Sequence, residues 1–308
     1  MEKRPTPYKK RRRVGLALSG GSLRGVSHIG VLKVLEENRI PIDMIAGTSS
    51  GAIVAALYAS GYTVAEMRTL VKSVSLPELI DIHIKMPGFM KKEVKSFVHD
   101  QLRFISSLPM GLISGVKIDR LFTGLWQNRT VKDTVIPLAI TAVDVYSGDT
   151  VFFVTPLNNR RKIENARYYI QTMIADAVRA SISIPGIFLP KEYGDMLLVD
   201  GAVKNNLPTD ILHQMGADFI IGVDLGYDGR PNHDIHSMTD ILMQCIQIMG
   251  REVTLLKSKE YAHVIIRPDT GSLNHSDLSA EQRIDELILC GEQAAKNKLS
   301  ELQSKLFM

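Results

Sequence analysis

The residues best suited to chemistry lie between Gly47 and Gly51, in the sequence Gly-Thr-Ser-Ser-Gly. An apolar run, Ile42 to Ala46, precedes them and small apolar residues, Ala52 to Ala59, follow, which predicts a strand, a sharp turn and a helix. The pattern G-x-S-x-G at such a junction is typical of a nucleophile elbow. Glycines on both sides would keep the turn clear of the neighbouring strand and helix. The segment therefore predicts that the Ser49 hydroxyl is a nucleophile, held beside a helix N-terminus that favours negative charge.

A second glycine-rich segment, Ser19 to Gly25, joins a strand pattern at Val14 to Leu18 to a helical pattern from Val26. Backbone N–H groups of such a loop either cradle a phosphate or form an oxyanion hole. The segment has neither G-x-G-x-x-G spacing nor the Lys-Ser/Thr pair of a P-loop, so an oxyanion hole fits better than nucleotide binding. Three roles stay open for Arg24 in this loop. Its side chain steadies the loop, contacts an anionic lipid headgroup, or is an ordinary surface arginine.

A serine nucleophile needs a base, and Asp200 is placed to be one. It follows the strand pattern Met196 to Val199, and open α/β sheets carry their sites at the carboxyl ends of strands. Gly201 allows the chain to turn there. A Ser-Asp-His site would instead need a late histidine, for which the candidates are His213, His233, His236, His263 and His275. We expect His28 to be a core or loop-bracing residue rather than a base.

Strand and helix patterns alternate along the chain and predict one α/β domain. The domain is expected to span residues 14–308, with the core motifs in 14–225 and a helical part in 236–308, after a basic tail at 1–13. Further predicted elements are strands at Val135 to Val145, Thr150 to Val154, Phe219 to Leu225 and Val264 to Arg267, and helices at Tyr168 to Arg179, Thr209 to Met215, Met238 to Lys259 and Ala280 to Phe307. Thr63 to Glu66 has the form of a capping box.

Composition excludes several classes of protein. The chain has 308 residues and a net charge of only +4, which gives no global nucleic-acid signal. Cys245 and Cys290 lie in apolar helical patterns, so we expect buried free thiols, consistent with a reducing compartment. The N-terminal apolar run is too short for a secretory signal, and the uncharged stretch Met44 to Ala65 contains a turn. These features favour a cytoplasmic protein.

Two segments are candidates for peripheral membrane contact. The basic tail at 1–13 suits anionic headgroups, although a solvated tail is the plainer interpretation. Residues 76–114 mix apolar and basic side chains with several prolines and glycines. This second segment is a mobile lid over an acyl-chain site, a membrane-facing surface, or an ordinary helical insertion packed on the core.

Four blocks together resemble the patatin-like phospholipase family, and most closely its bacterial branch related to neuropathy target esterase. They are the glycine loop with the His28 helix, the Gly-Thr-Ser-Ser-Gly elbow, the stretch Ala180 to Pro190, and Asp-Gly-Ala at Asp200 followed by Asn-Asn-Leu-Pro. All four occur in the family's order across roughly Val14 to Leu225. An ordered set is far more specific than any single motif.

The resemblance implies a three-layer α/β/α fold with a mostly parallel central sheet, and a catalytic Ser-Asp dyad. Ser49 would be the nucleophile and Asp200 the base. The implied activity is hydrolysis of acyl esters in phospholipids or lysophospholipids, without metal or cofactor. The oxyanion donors would be the backbone N–H groups of Gly20, Gly21, Ser22 and Leu23. The residues that support the motifs would be Arg24, Gly25, Gly47, Gly51 and Gly201.

The chain departs from the family pattern at two positions, since serine stands at Ser22 and alanine at Ala202 where glycine is common. Serine keeps its backbone N–H, so the first change costs little unless it narrows the approach. In such a dyad Asp200 should accept a hydrogen bond from Ser49 directly, and burial should raise its pKa. The alternatives are a catalytically silent lipid-binding or regulatory module on the same fold, and a nucleotide-binding protein.

Overall fold

The computed structural model describes residues 11–81, 110–156, 163–233, 235–270 and 279–307. The strands are β1 (Val14–Leu18), β2 (Met44–Thr48), β3 (Gly111–Ile113), β4 (Leu138–Asp144), β5 (Thr150–Val154), β6 (Ala166–Tyr169), β7 (Gly186–Phe188), β8 (Lys191–Tyr193), β9 (Met196–Asp200), β10 (Phe219–Val223) and β11 (Val264–Ile266). The helices are α1 (Ser27–Glu37), α2 (Ser50–Ala59), α3 (Val64–Ser73), α4 (Leu76–Leu79), α5 (Val116–Trp126), α6 (Ile174–Ser181), α7 (Thr209–Met215), α8 (Met238–Tyr261) and α9 (Ala280–Phe307).

The central sheet has the order β11-β10-β1-β2-β4-β5-β6, with β9 and β8 added beside the end of β4. The strands from β11 to β4 are parallel, and the remaining strands include antiparallel pairs. Both faces of this sheet are covered. Leu16 and Leu18 point into the larger core with α1, α2 and α9, whereas Ala17 points into a second core with α7. The three-layer α/β/α fold with a mostly parallel sheet is confirmed.

Strand register explains how distant residues meet. Thr48, the last residue of β2, pairs with Thr141 of β4, and Asp200, the last residue of β9, pairs with Ala142, the next residue along β4. Because β2 runs parallel to β4 and β9 antiparallel, the two strands run toward each other and end at the same point. Ser49 follows Thr48 directly, so the register brings Ser49 and Asp200 together.

The C-terminal helix α9 packs against α1 with the backbones in close contact. A Cβ atom at Gly30 would lie 1.9 Å from the carbonyl oxygen of Ile288, and one at Gly291 would lie 1.9 Å from that of Ser27. Only glycine fits at such distances. Helix α1 continues directly from the glycine-rich loop, so α9 supports the element that carries this loop.

Most local predictions are confirmed, including β1, α7 and the capping box, in which Thr63 and Glu66 exchange hydrogen bonds. The predicted helix from Tyr168 is wrong: Ala166–Tyr169 is strand β6, and helix α6 starts only at Ile174. The cause lies outside the segment, because β5 offers an edge for pairing and Phe152 stacks on Tyr168.

The expectation of buried thiols is also wrong, because Cys245 is exposed on α8 and Cys290 is half-buried on α9. Residues 1–10 of the basic tail and 82–109 of the proposed lid lie outside the described residues. Within the described ranges, none of the helices is both long and apolar enough to cross a bilayer.

Candidate active site

Ser49 occupies a strained turn between β2 and α2. Its backbone has φ 55° and ψ −126°, which non-glycine residues rarely adopt, and its side chain is 5% exposed. The Ser49 N–H donates to the hydroxyl of Ser181 at 2.9 Å, and that hydroxyl donates to the Thr141 carbonyl at 2.6 Å. Ser181, which sequence reasoning did not single out, therefore fixes the turn to β4.

The two glycines around Ser49 are required by close packing. A Cβ atom at Gly47 would lie 2.4 Å from the Gly51 carbonyl oxygen, and one at Gly51 would lie 2.4 Å from the Leu18 carbonyl oxygen of β1. The predicted steric reason for glycine is thus present at both positions.

Replacing Gly51 with alanine is therefore expected to cost more than about 3 kcal/mol of folding free energy, or to prevent folding, because backbone must move to admit the methyl group. The matched control is Gly124→Ala within α5, where a Cβ atom meets nothing within 4 Å. That change should raise stability by about 1 kcal/mol through helix propensity. Urea unfolding followed by circular dichroism measures both, and equal stabilities of the two variants would contradict the packing argument.

Asp200 ends β9 with its carboxylate almost fully buried, at 3% exposure. Its N–H donates to the Ser183 carbonyl at 2.9 Å, and its Oδ1 accepts from the Ala202 N–H at 2.8 Å. Burial raises the pKa of Asp200 to about 7, while hydrogen bonds from the Ser49 hydroxyl and the Ala202 N–H act in the opposite direction. The Ser49 hydroxyl therefore lies near the carboxylate, and none of the histidines in the described part of the chain lines the cavity that both residues share.

The glycine loop presents two kinds of N–H group. Those of Gly20 and Gly21 donate to Asn206 Oδ1 at 3.0 Å and to Ser50 Oγ at 3.1 Å. Those of Ser22 and Leu23 begin a 3₁₀ turn and have no acceptor among the described residues. Of the four predicted oxyanion donors, two are therefore engaged inside the protein and two remain available.

The histidines lie away from this pair wherever the structure describes them. His28 is fully buried and its Nε2 donates to the Ser19 carbonyl at 2.9 Å, so it braces the loop as expected. Burial lowers the pKa of His28 to about 4, which keeps the ring neutral. His233 and His236 are exposed and do not line the cavity. His275 lies outside the described residues.

Ser49 and Asp200 open into a cavity of about 390 Å³. Its walls come from the glycine loop, the Pro185 turn, Asn206 and one face of helix α8. The helix contributes Met243, Ile246, Gln247, Gly250, Arg251, Thr254 and Leu255. The sequence predicts this helix but not its part in the site; the apolar residues Met243 and Ile246 were the available signal.

Charged groups line one side of the cavity. Arg267 pairs with Asp224 at 3.1 Å, and Arg230 pairs with Asp228. Arg24 donates from Nε to the Gly21 carbonyl at 3.2 Å, and burial lowers its pKa against the opposing effect of the two aspartates. This arginine both steadies the loop and leaves a guanidinium at the cavity wall, where an anion can reach it.

Comparisons with known proteins identify the family to which the chain is similar. Residues 16–213 match the family model described as Patatin-like phospholipase. A protein named Lysophospholipase NTE1 from Debaryomyces hansenii is 29% identical over 217 residues, which cover 69% of this chain and 12% of that protein. An uncharacterized NTE family protein from Mycobacterium bovis is 30% identical over 216 residues, which cover 70% of this chain and 30% of that protein.

The fold has a solved counterpart. The crystal structure of VipD from Legionella pneumophila aligns with a TM-score of 0.53 at 14% identity, covering 94% of this chain and 67% of that one. The alignments span less than a third of the length of the two curated relatives. The elbow, the glycine loop and Asp200 all lie inside the region matched by the family model.

Proposed function

Since the chain belongs to the patatin-like phospholipase family, we propose that it is a serine hydrolase that cleaves the carboxylic esters of phospholipids or lysophospholipids. One observation carries this proposal: the buried Asp200 carboxylate lies near enough to the strained Ser49 hydroxyl for that hydroxyl to lower its pKa, and the glycine loop of the same cavity has two N–H groups without an acceptor among the described residues. Nucleophile, base and oxyanion donors are the three groups that acyl transfer needs.

The first step is acylation. Asp200 takes the proton of Ser49 as Oγ attacks the ester carbonyl, and the N–H groups of Ser22 and Leu23 stabilise the oxyanion. The tetrahedral intermediate then collapses, the ester C–O bond breaks, and Asp200 returns the proton to the leaving alcohol. In the second step Asp200 takes a proton from water as the water oxygen attacks the acyl carbon. The bond between that carbon and Ser49 Oγ then breaks, Asp200 returns the proton to Oγ, and the fatty acid is released.

A carboxylate is ordinarily a weak base toward a hydroxyl, and the site offsets this in two ways. Burial raises the pKa of Asp200 to about 7, close to the range in which a general base works best. The oxyanion donors supply the rest, since removing one such donor typically costs about 3 kcal/mol of transition-state stabilisation.

The cavity suits a lipid ester in two respects. Met243 and Ile246 of α8 offer an apolar wall for an acyl chain, and Arg24 offers a cation for a phosphate. We also propose that residues 14–308 form one domain, because α9 packs on the helix that follows the glycine loop.

The test is labelling of the full chain with a fluorophosphonate probe, mass-spectrometric mapping of the modified residue, and release of fatty acid from lysophosphatidylcholine. Modification of Ser49 together with fatty-acid release is expected. A folded protein that neither reacts nor hydrolyses would overturn the proposal in favour of the silent module. A rise in melting temperature with ATP and no labelling would favour nucleotide binding.

The pH dependence of labelling is a prediction in its own right. Only ionised Asp200 accepts the Ser49 proton, so the labelling rate should rise about tenfold per pH unit below pH 7 and level off above it. Rates measured between about pH 5 and about pH 9 with a probe of constant charge test this. A midpoint near pH 4, the ordinary value for aspartate, would contradict the buried base.

A further inference from the structure

Arg179 is a buried arginine on the last turn of helix α6, and it does not line the cavity. The residue is 2% exposed, and its guanidinium carbon lies 5.6 Å from the centre of the Phe188 ring. Its Nε lies 3.4 Å from Asp119, a carboxylate that is itself 40% exposed. Taking a charge out of water is costly, and apolar side chains in such a place often give equal stability. The arginine is therefore better explained by the geometry it imposes than by cohesion.

The guanidinium joins three segments of the chain. Its Nη1 donates to Ser183 Oγ at 2.6 Å, in the turn that follows α6. Its Nη2 donates to the carbonyl of Ser114 at 3.0 Å, between β3 and α5, and to that of Leu189 at 3.1 Å, directly after β7. A planar guanidinium holds several acceptors in fixed directions, which the ammonium of a lysine does not. Arg179 thus sets where the Ser183 hydroxyl lies.

Ser183 carries this contact to the proposed base. Its hydroxyl accepts from Arg179 Nη1 and donates to the main-chain carbonyl of the same arginine at 2.9 Å, so the side chain is held by both of its hydrogen-bonding functions. The carbonyl of Ser183 in turn accepts the N–H of Asp200 at 2.9 Å. A continuous chain of hydrogen bonds therefore runs from the buried guanidinium to the backbone of Asp200.

The residues around Ser183 also contact the other half of the dyad. Ser181 accepts the Ser49 N–H, and Pro185 lines the cavity. A shift of the Pro185 turn (residues 182–185) would therefore change the position of Asp200 relative to Ser49. A displacement of about 1 Å in such an alignment typically costs on the order of 100-fold in rate.

We propose that Arg179 is a positioning residue for the dyad, whose guanidinium holds Ser183 and, through it, the backbone of Asp200. It contacts neither the substrate nor the reacting atoms. The inference rests on the proposed hydrolase activity for its effect on rate, whereas the contacts that carry it do not depend on that activity. An arginine that only tied α6 to β3 and β7 would affect stability alone.

Two substitutions and their combination test the route through Ser183. Arg179→Lys keeps the charge but loses the planar fork, and Ser183→Ala keeps the carbonyl but loses the hydroxyl. Each should lower the rate constant of Ser49 labelling at saturating fluorophosphonate about 30-fold, with the affinity for the probe changed less than about threefold. The double variant should also be about 30-fold slower, rather than the about 900-fold expected of independent effects, because the second change removes a bond that is already lost.

Hydrogen exchange reads the same contact without any reaction. The Asp200 amide should exchange about tenfold faster in Arg179→Lys and in Ser183→Ala than in the wild type, because its acceptor is no longer held in place. Mass spectrometry of the full chain after digestion, with fragmentation that resolves single amides, measures these rates.

Arg129→Lys is the matched control. Arg129 also donates from both Nη atoms to backbone carbonyls, those of Ser60 at 3.2 Å and Asp133 at 3.1 Å, but it does not line the cavity. This variant should leave both the Ser49 labelling rate and the Asp200 exchange rate unchanged, whatever its melting temperature.

Four results would overturn the inference. Labelling of Arg179→Lys at the wild-type rate would show that the fork is not needed. Multiplied effects in the double variant would show that Arg179 does not act through Ser183. An equal loss of labelling in Arg129→Lys would reduce the effect to general stability, and unchanged Asp200 exchange would remove the contact itself. If the folded wild type is not labelled, the proposed function fails, and the exchange rates still decide the positioning contact.

Discussion

Replacing Ser49 with alanine is expected to lower the turnover of a lysophospholipid about 10⁴-fold or more and to abolish fluorophosphonate labelling. The hydroxyl oxygen is the proposed bond-forming atom, and alanine offers no nucleophile in its place. What remains is the activation of water by Asp200 and the oxyanion donors, which act poorly without a covalent intermediate. Steady-state release of fatty acid, measured beside gel-based labelling, gives both numbers.

The matched control for this variant is Ser60→Ala. Ser60 is a buried serine that follows the C-terminal end of the same helix α2, and its hydroxyl has no hydrogen-bond partner within the described structure. Its loss should leave turnover and labelling unchanged. If Ser49→Ala keeps more than about a tenth of the activity, another group is the nucleophile and the proposed mechanism is wrong.

Asp200→Asn should lower turnover about 10³-fold, because an amide cannot accept the Ser49 proton. The same change should raise the melting temperature at neutral and alkaline pH. The folded protein holds the pKa of Asp200 near 7, well above its ordinary value of 3.8, so folding is penalised whenever the unfolded carboxyl is ionised. Loss of activity with gain of stability is a signature that a damaged fold does not produce.

The pH window follows from these two values. Below pH 4 both states are protonated and the penalty vanishes; it grows as pH rises through the window and is complete above about pH 7. The full shift corresponds to at most about 4 kcal/mol, reduced by the lost hydrogen bond to Ser49. Melting curves of wild type and variant should thus coincide near pH 4 and separate by several degrees near pH 8.

Asp144→Asn is the matched control, since Asp144 is also a buried aspartate on the central sheet. Burial alone would raise its pKa, but hydrogen bonds from Ser147, Tyr146 and Leu197 outweigh that effect and lower it. The substitution should therefore destabilise the protein above the ordinary pKa of aspartate. If both variants move the melting temperature in the same direction, burial is not what governs Asp200.

Local chemistry explains which parts of the site could be predicted from sequence. Gly47, Ser49 and Gly51 act within a single turn, so their roles follow from spacing and sterics alone. Asp200 follows from the order of motifs and its place at a strand end. The sequence could not predict which N–H groups of the glycine loop are free. The Gly20 N–H, for example, donates to Asn206, which is distant in the sequence.

The errors have the same origin. Tyr168 lies in a strand because β5 provides an edge for pairing. The residues next to Tyr168 in the sequence do not reveal this pairing. Cys245 lies in an apolar helical pattern, yet it is exposed because the cavity takes the opposite side of α8. The spacing of apolar residues in the sequence indicates that a helix has an apolar face. Only the three-dimensional structure shows which face is covered.

The glycine contact between α1 and α9 has a consequence for biosynthesis. Gly30 leaves the ribosome early and Gly291, on the helix that packs against it, leaves late. The packing of α1 is therefore complete only after most of the chain has been synthesised. The proposed oxyanion loop leads directly into α1. The nascent chain should therefore carry an assembled Ser49 turn but a loosely held loop until α9 emerges. Synthesis itself would then delay the onset of the proposed hydrolysis.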